Sequence, residues 1–274
     1  MKRGNEKKFN KILSDIKSVK IQGARNIARA ALYAYFLYPG KSSMEKLINA
    51  RETEPMLVNV LKKAEKENYK KIIEHFSGAQ EKINKNVLRI LKNGDVIFTH
   101  CHSTNVSNAL IYAKKKGKKF EVYNTETRPL FQGRKTAKEL KKAGIKVTMF
   151  IDSALSVAIE KENSKDKIYS NKIFLGSDAL LKKGIINKIG SNLIAKIGRM
   201  EKVPVYIIAD SWKFSSKNVP IEQRKLNEVW NRAPKNIIIK NPAFEFVPKK
   251  FITKIISEHG ILSYDEFLRG MKSQ

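Results

Sequence analysis

From Asn93-Gly94 onward the chain alternates short β-branched runs with helix-period stretches, and few folds accommodate that order. The runs are DVIFTH (95–100), FEVYNT (120–125), KVTMFI (146–151), KIFLG (172–176) and PVYIIA (204–209), with NIIIK (236–240) as a weaker sixth. Between them, 103–116, 134–143, 153–162 and 191–202 carry apolar residues at helical spacing. Strand–helix–strand repetition with connections of this length predicts a mainly parallel sheet covered on both faces. The first part of the chain is different in kind. Phe9, Ile12, Leu13, Ile16 and Val19 follow helical spacing, Pro39-Gly40 breaks a second helix, and Ser42 with Glu45 reads as a capping box opening a third. The segment from Pro55 to Leu91 reads as one or two further amphipathic helices. The expected organisation is α/β: a small helical N-terminal domain, 1–92, followed by a Rossmann-like domain, 93–274.

In an open parallel sheet, ligands collect at the carboxyl ends of the strands. The expected strands end in Thr99-His100-Cys101-His102-Ser103-Thr104, in TETRP (125–129), in Asp152-Ser153, in Gly176-Ser177-Asp178 and in ADSWKF (209–214). Polar groups at one such end make a solvated loop; at successive ends of the same sheet they make a site.

Cys101 is the only cysteine, so the fold stands on packing without an internal disulfide. Three readings of it compete. As a metal ligand it would need His100 and His102, but adjacent residues of an extended strand point to opposite faces, and His75 and His259 are isolated in sequence. No metal site is expected. As a buried small hydrophobe it would be inert. As a reactive thiol it would exploit a helix starting at Ser103 or Thr104, whose N–H groups lower a thiol's pKa. A drop of about 1.5 units, or about 2 kcal/mol, would half-ionise it at neutral pH.

Fifty-five Lys and Arg face 26 Asp and Glu, a formal charge of +29. The lysines are scattered in short clusters on helix surfaces, with no aromatic stripe among them, so a generally basic surface with nonspecific nucleic-acid binding is favoured over a dedicated nucleic-acid site. The basic N-terminus has no signal-peptide core, and the apolar run ending at Pro39 is too short to span a bilayer. A cytoplasmic protein without a membrane partner is expected.

THCHS, TETRPLFQGRKTAKEL, GSDALLKKGIINKIG and NPAFEFVPKKFI resemble the successive motifs of the superfamily uniting sugar-1-phosphate aldose–ketose isomerases with the α, β and δ subunits of translation initiation factor 2B. The resemblance runs from about Ile21 to the C-terminus. It implies a catalytic Cys101 and a catalytic Asp178, a pair the initiation-factor subunits commonly lack. Among the isomerases it is more similar to the archaeal ribose-1,5-bisphosphate type; methylthioribose-1-phosphate isomerases usually carry a longer helical domain and an RGAPAIG motif, where this chain has IQGARNIARAA.

Carried over, the resemblance implies substrate contacts from Gln22, Gly23, Ala24 and Arg25, from Arg51, from Ser103, Thr104 and Asn105, and from Asn187, Lys188 and Lys213. Gln22 stands where the family usually has Arg, His102 where Asn is common, and Ser177 where Ala is usual. The implied reaction converts ribose 1,5-bisphosphate to ribulose 1,5-bisphosphate in nucleotide salvage: Asp178 protonates the ring oxygen and Cys101 takes the C2 proton. It needs no cofactor. A non-catalytic relative of the initiation-factor subunits, binding a nucleotide or sugar phosphate, and a methylthioribose-1-phosphate isomerase are the alternatives. The resemblance also implies a homo-oligomer, a dimer or a hexamer of dimers.

Overall fold

The computed structural model describes residues 2–160 and 169–272. Five helices open the chain: α1 (Lys2–Lys17), α2 (Ala24–Leu37), α3 (Lys41–Ile48), α4 (Pro55–Ala64) and α5 (Tyr69–Ile90). Their starts follow from local chemistry. Pro55 occupies the first turn of α4, where a missing N–H costs nothing, and the Asn68 side chain caps α5 by accepting from the Lys71 amide at 2.9 Å. The expected capping box at Ser42 is absent: α3 begins at Lys41 after Gly40, with no side-chain cap, and Ser43 is buried inside the helix.

The rest is strand β1 (Asp95–Thr99), α6 (Thr104–Lys115), β2 (Phe120–Thr125), α7 (Gln132–Lys142), β3 (Lys146–Phe150), α8 (Leu155–Ile159), β4 (Lys172–Leu175), β5 (Ala179–Leu180), β6 (Gly184–Lys188), α9 (Ser191–Met200), β7 (Val205–Ile208), β8 (Phe244–Pro248), β9 (Lys254–Ser257), β10 (Gly260–Leu262) and α10 (Tyr264–Lys272). The main sheet runs β10-β9-β7-β4-β1-β2-β3, parallel except for the edge strand β10. The expected α/β architecture with a mainly parallel sheet is therefore the one observed.

Alternation along the strands divides the core. Val96, Phe98, Ile173, Leu175, Val205 and Ile207 pack under α8, α9 and α10, while Ile97, Val122, Phe174 and Ile208 pack under α5, α6 and α7. Helix α5 serves both parts of the chain. Its Ile72 and Phe76 join Leu32, Met56 and Val60 of the helical part, and its Ile83 and Val87 lie on the sheet.

Three expectations are corrected. NIIIK at 236–240 is not a strand: Ile238 is 88% exposed, and its β-branched composition has no sheet edge to join. The helical stretch expected at 153–162 is a short 3-10 turn (Asp152–Ala154) followed by α8, and residues 161–168 lie outside the described residues. Finally, the set of strands is larger than expected: β5, β6 and β8, from stretches outside the β-branched runs, form a separate antiparallel sheet, order β5-β6-β8. Among the described residues no helix is long and apolar enough to cross a membrane.

Candidate active site

Strands β1 and β4 are adjacent and parallel, with Thr99 paired to Phe174, yet their chain continues to opposite faces of the sheet. A crevice opens at such a reversal, outside the carboxyl ends of the strands. Cys101 leaves the end of β1 and Asp178 the end of β4, so residues far apart in sequence meet there. Gly176 permits the close approach: a Cβ on it would stand 2.6 Å from Ser103 Oγ. A cavity of about 150 Å³ fills the crevice, and Cys101 and Asp178 both line it.

Cys101 has a left-handed backbone, φ 64°, a conformation that costs a non-glycine residue about 1–2 kcal/mol. Two hydrogen bonds impose it: the Cys101 amide donates to Thr127 Oγ1 at 3.0 Å, and Thr136 Oγ1 donates to the Cys101 carbonyl at 2.8 Å. The strand ends at Thr99, so the flanking histidines are not alternated by a pleat; both also line the cavity, each held by its own partners. His100 is buried, with Nε2 2.8 Å from the Ile189 carbonyl and Nδ1 2.5 Å from Thr125 Oγ1. A carbonyl only accepts, so Nε2 carries the proton, and burial holds this ring neutral with its pKa pushed down to about 4. His102 Nδ1 lies 3.0 Å from Thr136 Oγ1, whose own proton is already given to Cys101; His102 is neutral too, lowered to about 4 by burial and then by Lys135.

The helix-lowered thiol is corrected. Helix α6 does start at Thr104, capped by Ser103, but burial pushes the Cys101 thiol up to about 11, against Lys188 and the His102 amide. Lys188 is the largest opposing influence, and the nearby Asp178 and Asp152 add to the rise. At pH 7 only about one thiol in ten thousand is ionised.

Asp178 is raised above the usual carboxylate range by burial, opposed by Lys213, Arg51 and Lys188. Lys213 is anchored beside it, its Nζ donating to the Ser177 carbonyl at 2.6 Å. Ser177 spends its own hydroxyl on the Ala179 carbonyl at 2.7 Å, which makes it a loop brace. Arg51 is buried; its Nη2 donates to Glu222 Oε2 at 2.7 Å and lies 3.7 Å from Glu54 Oε1. Among the described residues its Nε and Nη1, both buried, have no hydrogen-bond partner, and neither has Glu54 Oε2. Native proteins leave few such groups wanting, so a ligand is the natural partner.

Every site residue that the resemblance implied lines this cavity: Gln22, Gly23, Ala24, Arg25, Arg51, Ser103, Thr104, Asn105, Asn187, Lys188 and Lys213 join Cys101 and Asp178. Gly23 has φ 84°, an angle open to glycine, and it caps α2, whose first residues Ala24 and Arg25 stand in the cavity wall. Asn105 and Asn187 brace the walls, donating to Gln80 Oε1 at 3.0 Å and to Ser191 Oγ at 2.8 Å. TETRP stays outside. Glu126 accepts from Arg134 at 2.7 Å, and Asp152 accepts from the Thr127 and Arg128 amides, so this loop organises itself and holds Cys101 from behind.

Sequence reasoning missed Glu54, Lys135 and Arg224, all of which line the cavity. Glu54 left one readable trace, an acidic residue immediately before the Pro that starts a helix. Arg224 and Lys135 left none. It also took His75 and His259 to be isolated. His75 Nε2 in fact lies 3.2 Å from Asp210 Oδ1 and 4.0 Å from Glu258 Oε1, with His259 Nε2 3.6 Å from the same oxygen. The cluster has the donor types of a cation site, but its carboxylates already accept from the Ser211 and Trp212 amides, and the His75 ring stacks on Trp212 at 3.4 Å.

With this geometry, the chain was compared with known proteins. Residues 41–264 match the Initiation factor 2 subunit family. The ribose 1,5-bisphosphate isomerase of Methanocaldococcus jannaschii is 36% identical over 284 residues, covering 90% of this chain and 89% of that protein. The 5-deoxyribose 1-phosphate isomerase of Clostridium botulinum is 31% identical, covering 98% of this chain and 78% of that protein. The crystal structure of the Pyrococcus horikoshii OT3 translation initiation factor eIF-2B has the same fold, with a TM-score of 0.78 at 24% identity, covering 93% of this chain and 96% of that one.

Proposed function

The chain belongs to the Initiation factor 2 subunit family, and from that membership we propose that it is an aldose–ketose isomerase converting ribose 1,5-bisphosphate to ribulose 1,5-bisphosphate. One observation carries the reading: Cys101 and Asp178 line the same buried cavity among cationic side chains. A sugar phosphorylated on its anomeric oxygen cannot open by ordinary mutarotation, so an acid must protonate the ring oxygen. Burial keeps a proton on the Asp178 side of the cavity at pH values where a free carboxyl has lost it. Cys101 faces it as the carrier that takes hydrogen from C2 and returns it to C1. Its ionisation is unfavourable by about 5 kcal/mol at pH 7, and Lys188 is the cation that offsets part of that.

The choice of substrate follows from charge. Arg25, Arg51, Lys135, Lys188, Lys213 and Arg224 line the cavity against Glu54 and Asp178, and the α2 N-terminus adds donors. That many cations suits two phosphate groups better than the single phosphate of a 5-deoxyribose or methylthioribose 1-phosphate. Arg25 and Arg224 also supply the charge that Gln22 lacks. A homo-oligomer, at least a dimer, is the assembly in which we expect the enzyme to act, and we expect RNA binding through the basic surface to be nonspecific and lost in salt.

The test is direct. Purified protein incubated with ribose 1,5-bisphosphate should form ribulose 1,5-bisphosphate, with kcat/KM at least about tenfold above that for 5-deoxyribose 1-phosphate or methylthioribose 1-phosphate. Inertness toward all three would leave the non-catalytic reading standing.

A further inference from the structure

Glu54 has no part in the reaction as described so far, yet it is the most conspicuous group in the cavity wall. It is 1% exposed, sits in the turn before α4, and lines the cavity with Asp178. Oε1 lies 3.7 Å from Arg51 Nη2, and Oε2 is buried with no hydrogen-bond partner among the described residues. The groups facing it are Asp178 from the β4–β5 loop, Lys213 from the turn after β7, Glu222 from the long loop before β8, and Arg51 from its own turn. A buried carboxylate with an empty lone pair is costly, whereas a carboxyl holding a proton for a ligand oxygen is not.

We infer that Glu54 is a further acid–base residue of the isomerisation, sharing one proton with Asp178 so that the two carboxyls together carry the oxygen-to-oxygen transfer that ring opening demands. This inference rests on the isomerase reading of the cavity.

The proton balance accommodates such a pair. As the ring opens, the C1–O4 bond breaks and its electrons go to the ring oxygen, which takes the proton held by the carboxyl pair. The C2–H electrons form the C1–C2 double bond, and the C2 proton goes to the Cys101 thiolate. In the second half the 2-hydroxyl loses its proton to the pair, a C2–O double bond forms, and C1 takes back the proton from the thiol. The thiol carries hydrogen between carbons, and the pair carries a proton between oxygens. The ring oxygen and the 2-hydroxyl lie on opposite sides of C1, so two carboxyls sharing one proton reach both where one would have to swing.

Electrostatics agrees with this division. Burial first, and then the neighbouring Asp178, push the Glu54 carboxyl up to about 8, against Arg51 and Lys213. Two carboxyls in one site do not both ionise readily, so the pair keeps one proton through neutral pH.

Glu54→Gln keeps the size and removes the proton exchange. It should lower kcat by about 100-fold or more while KM stays within about threefold. Glu54→Asp, which keeps a carboxyl, should recover part of the rate. In wild type, log kcat/KM should climb with pH as the thiol ionises and then break near pH 8 as the pair loses its last proton; in Glu54→Gln that break should vanish. Wild-type turnover in Glu54→Gln, with the break still present, overturns the inference.

A second measurement is independent of turnover. A carboxyl raised in the folded state stabilises the fold fully below its unfolded pKa, and that contribution is lost as pH rises through its folded value. The melting temperature of wild type should therefore fall, relative to Glu54→Gln, between about pH 4.5 and about pH 8. If wild type isomerises none of the sugar phosphates, the functional reading falls, and this melting difference still decides the shared proton: a difference constant across that range overturns it.

Discussion

Two clusters of ionisable side chains lie at the carboxyl edge of the main sheet, and they are built on opposite terms. In the outer one, His75, Asp210, Glu258 and His259 meet Ser211 and Trp212. Asp210 accepts from the Trp212 amide at 2.9 Å, Glu258 from the Ser211 amide, and His75 lies flat on the Trp212 ring. Its polar atoms are engaged with one another, so it ties the turn after β7 to α5 and has little left for a ligand. In the cavity, Arg51 Nε, Arg51 Nη1 and Glu54 Oε2 are buried without partners, Cys101 is held in a left-handed conformation, and burial displaces the proton affinities of Cys101, Glu54 and Asp178 upward. The contrast teaches that a list of chemically capable residues does not locate chemistry. Unsatisfied groups and strained backbone locate it, because folding tolerates them only where something else is gained.

That contrast can be broken by mutation. The largest effect is expected at the cavity. Cys101→Ser and Asp178→Asn should each reduce kcat by about 1,000-fold or more, with melting temperatures at or above that of wild type, measured in the ribose 1,5-bisphosphate assay and by thermal denaturation. Near-normal turnover in either variant would remove that residue from the mechanism.

A smaller effect separates burial from helix-end activation. With its thiol at about 11, Cys101 should react with iodoacetamide at pH 7 about 100-fold more slowly than a free thiol, and its rate should climb tenfold per pH unit toward about pH 11. Lys188→Met removes the main opposing cation and should slow alkylation further at any fixed pH. A thiol that alkylates rapidly at pH 7 would restore the helix-lowered reading.

The smallest effect belongs to the outer cluster. His75→Ala deletes the stacked ring and one hydrogen bond, and should destabilise the fold by about 1–2 kcal/mol while kcat and KM hold. Loss of activity without loss of stability would mean that the two clusters are one site.

Much of the site was legible before any coordinate. Alternating β-branched runs and helical stretches placed Cys101 and Asp178 at strand ends, and the family resemblance supplied eleven further residues; all of them line the cavity. Glu54 was legible only as an acidic residue before a helix-starting Pro, and Arg224 not at all. Each looks like surface composition in its own stretch, and each becomes a wall residue only because α4 and the loop before β8 close over the sheet edge. NIIIK misled for the complementary reason: β propensity describes a fit to a pleated surface, and that stretch has no neighbouring strand to fit.

By itself the sequence determined the alternation of elements, hence a parallel sheet with its chemistry at one edge, because periodicity and crossover length are local properties of the chain. Tertiary structure alone decided the state of that chemistry. Burial raises the Cys101 thiol against a lysine and a backbone amide, and burial is a sum over atoms contributed by every surrounding element. The sequence could name the thiol, and only the fold could say that its proton affinity is raised and that Glu54 lines the same cavity as Asp178.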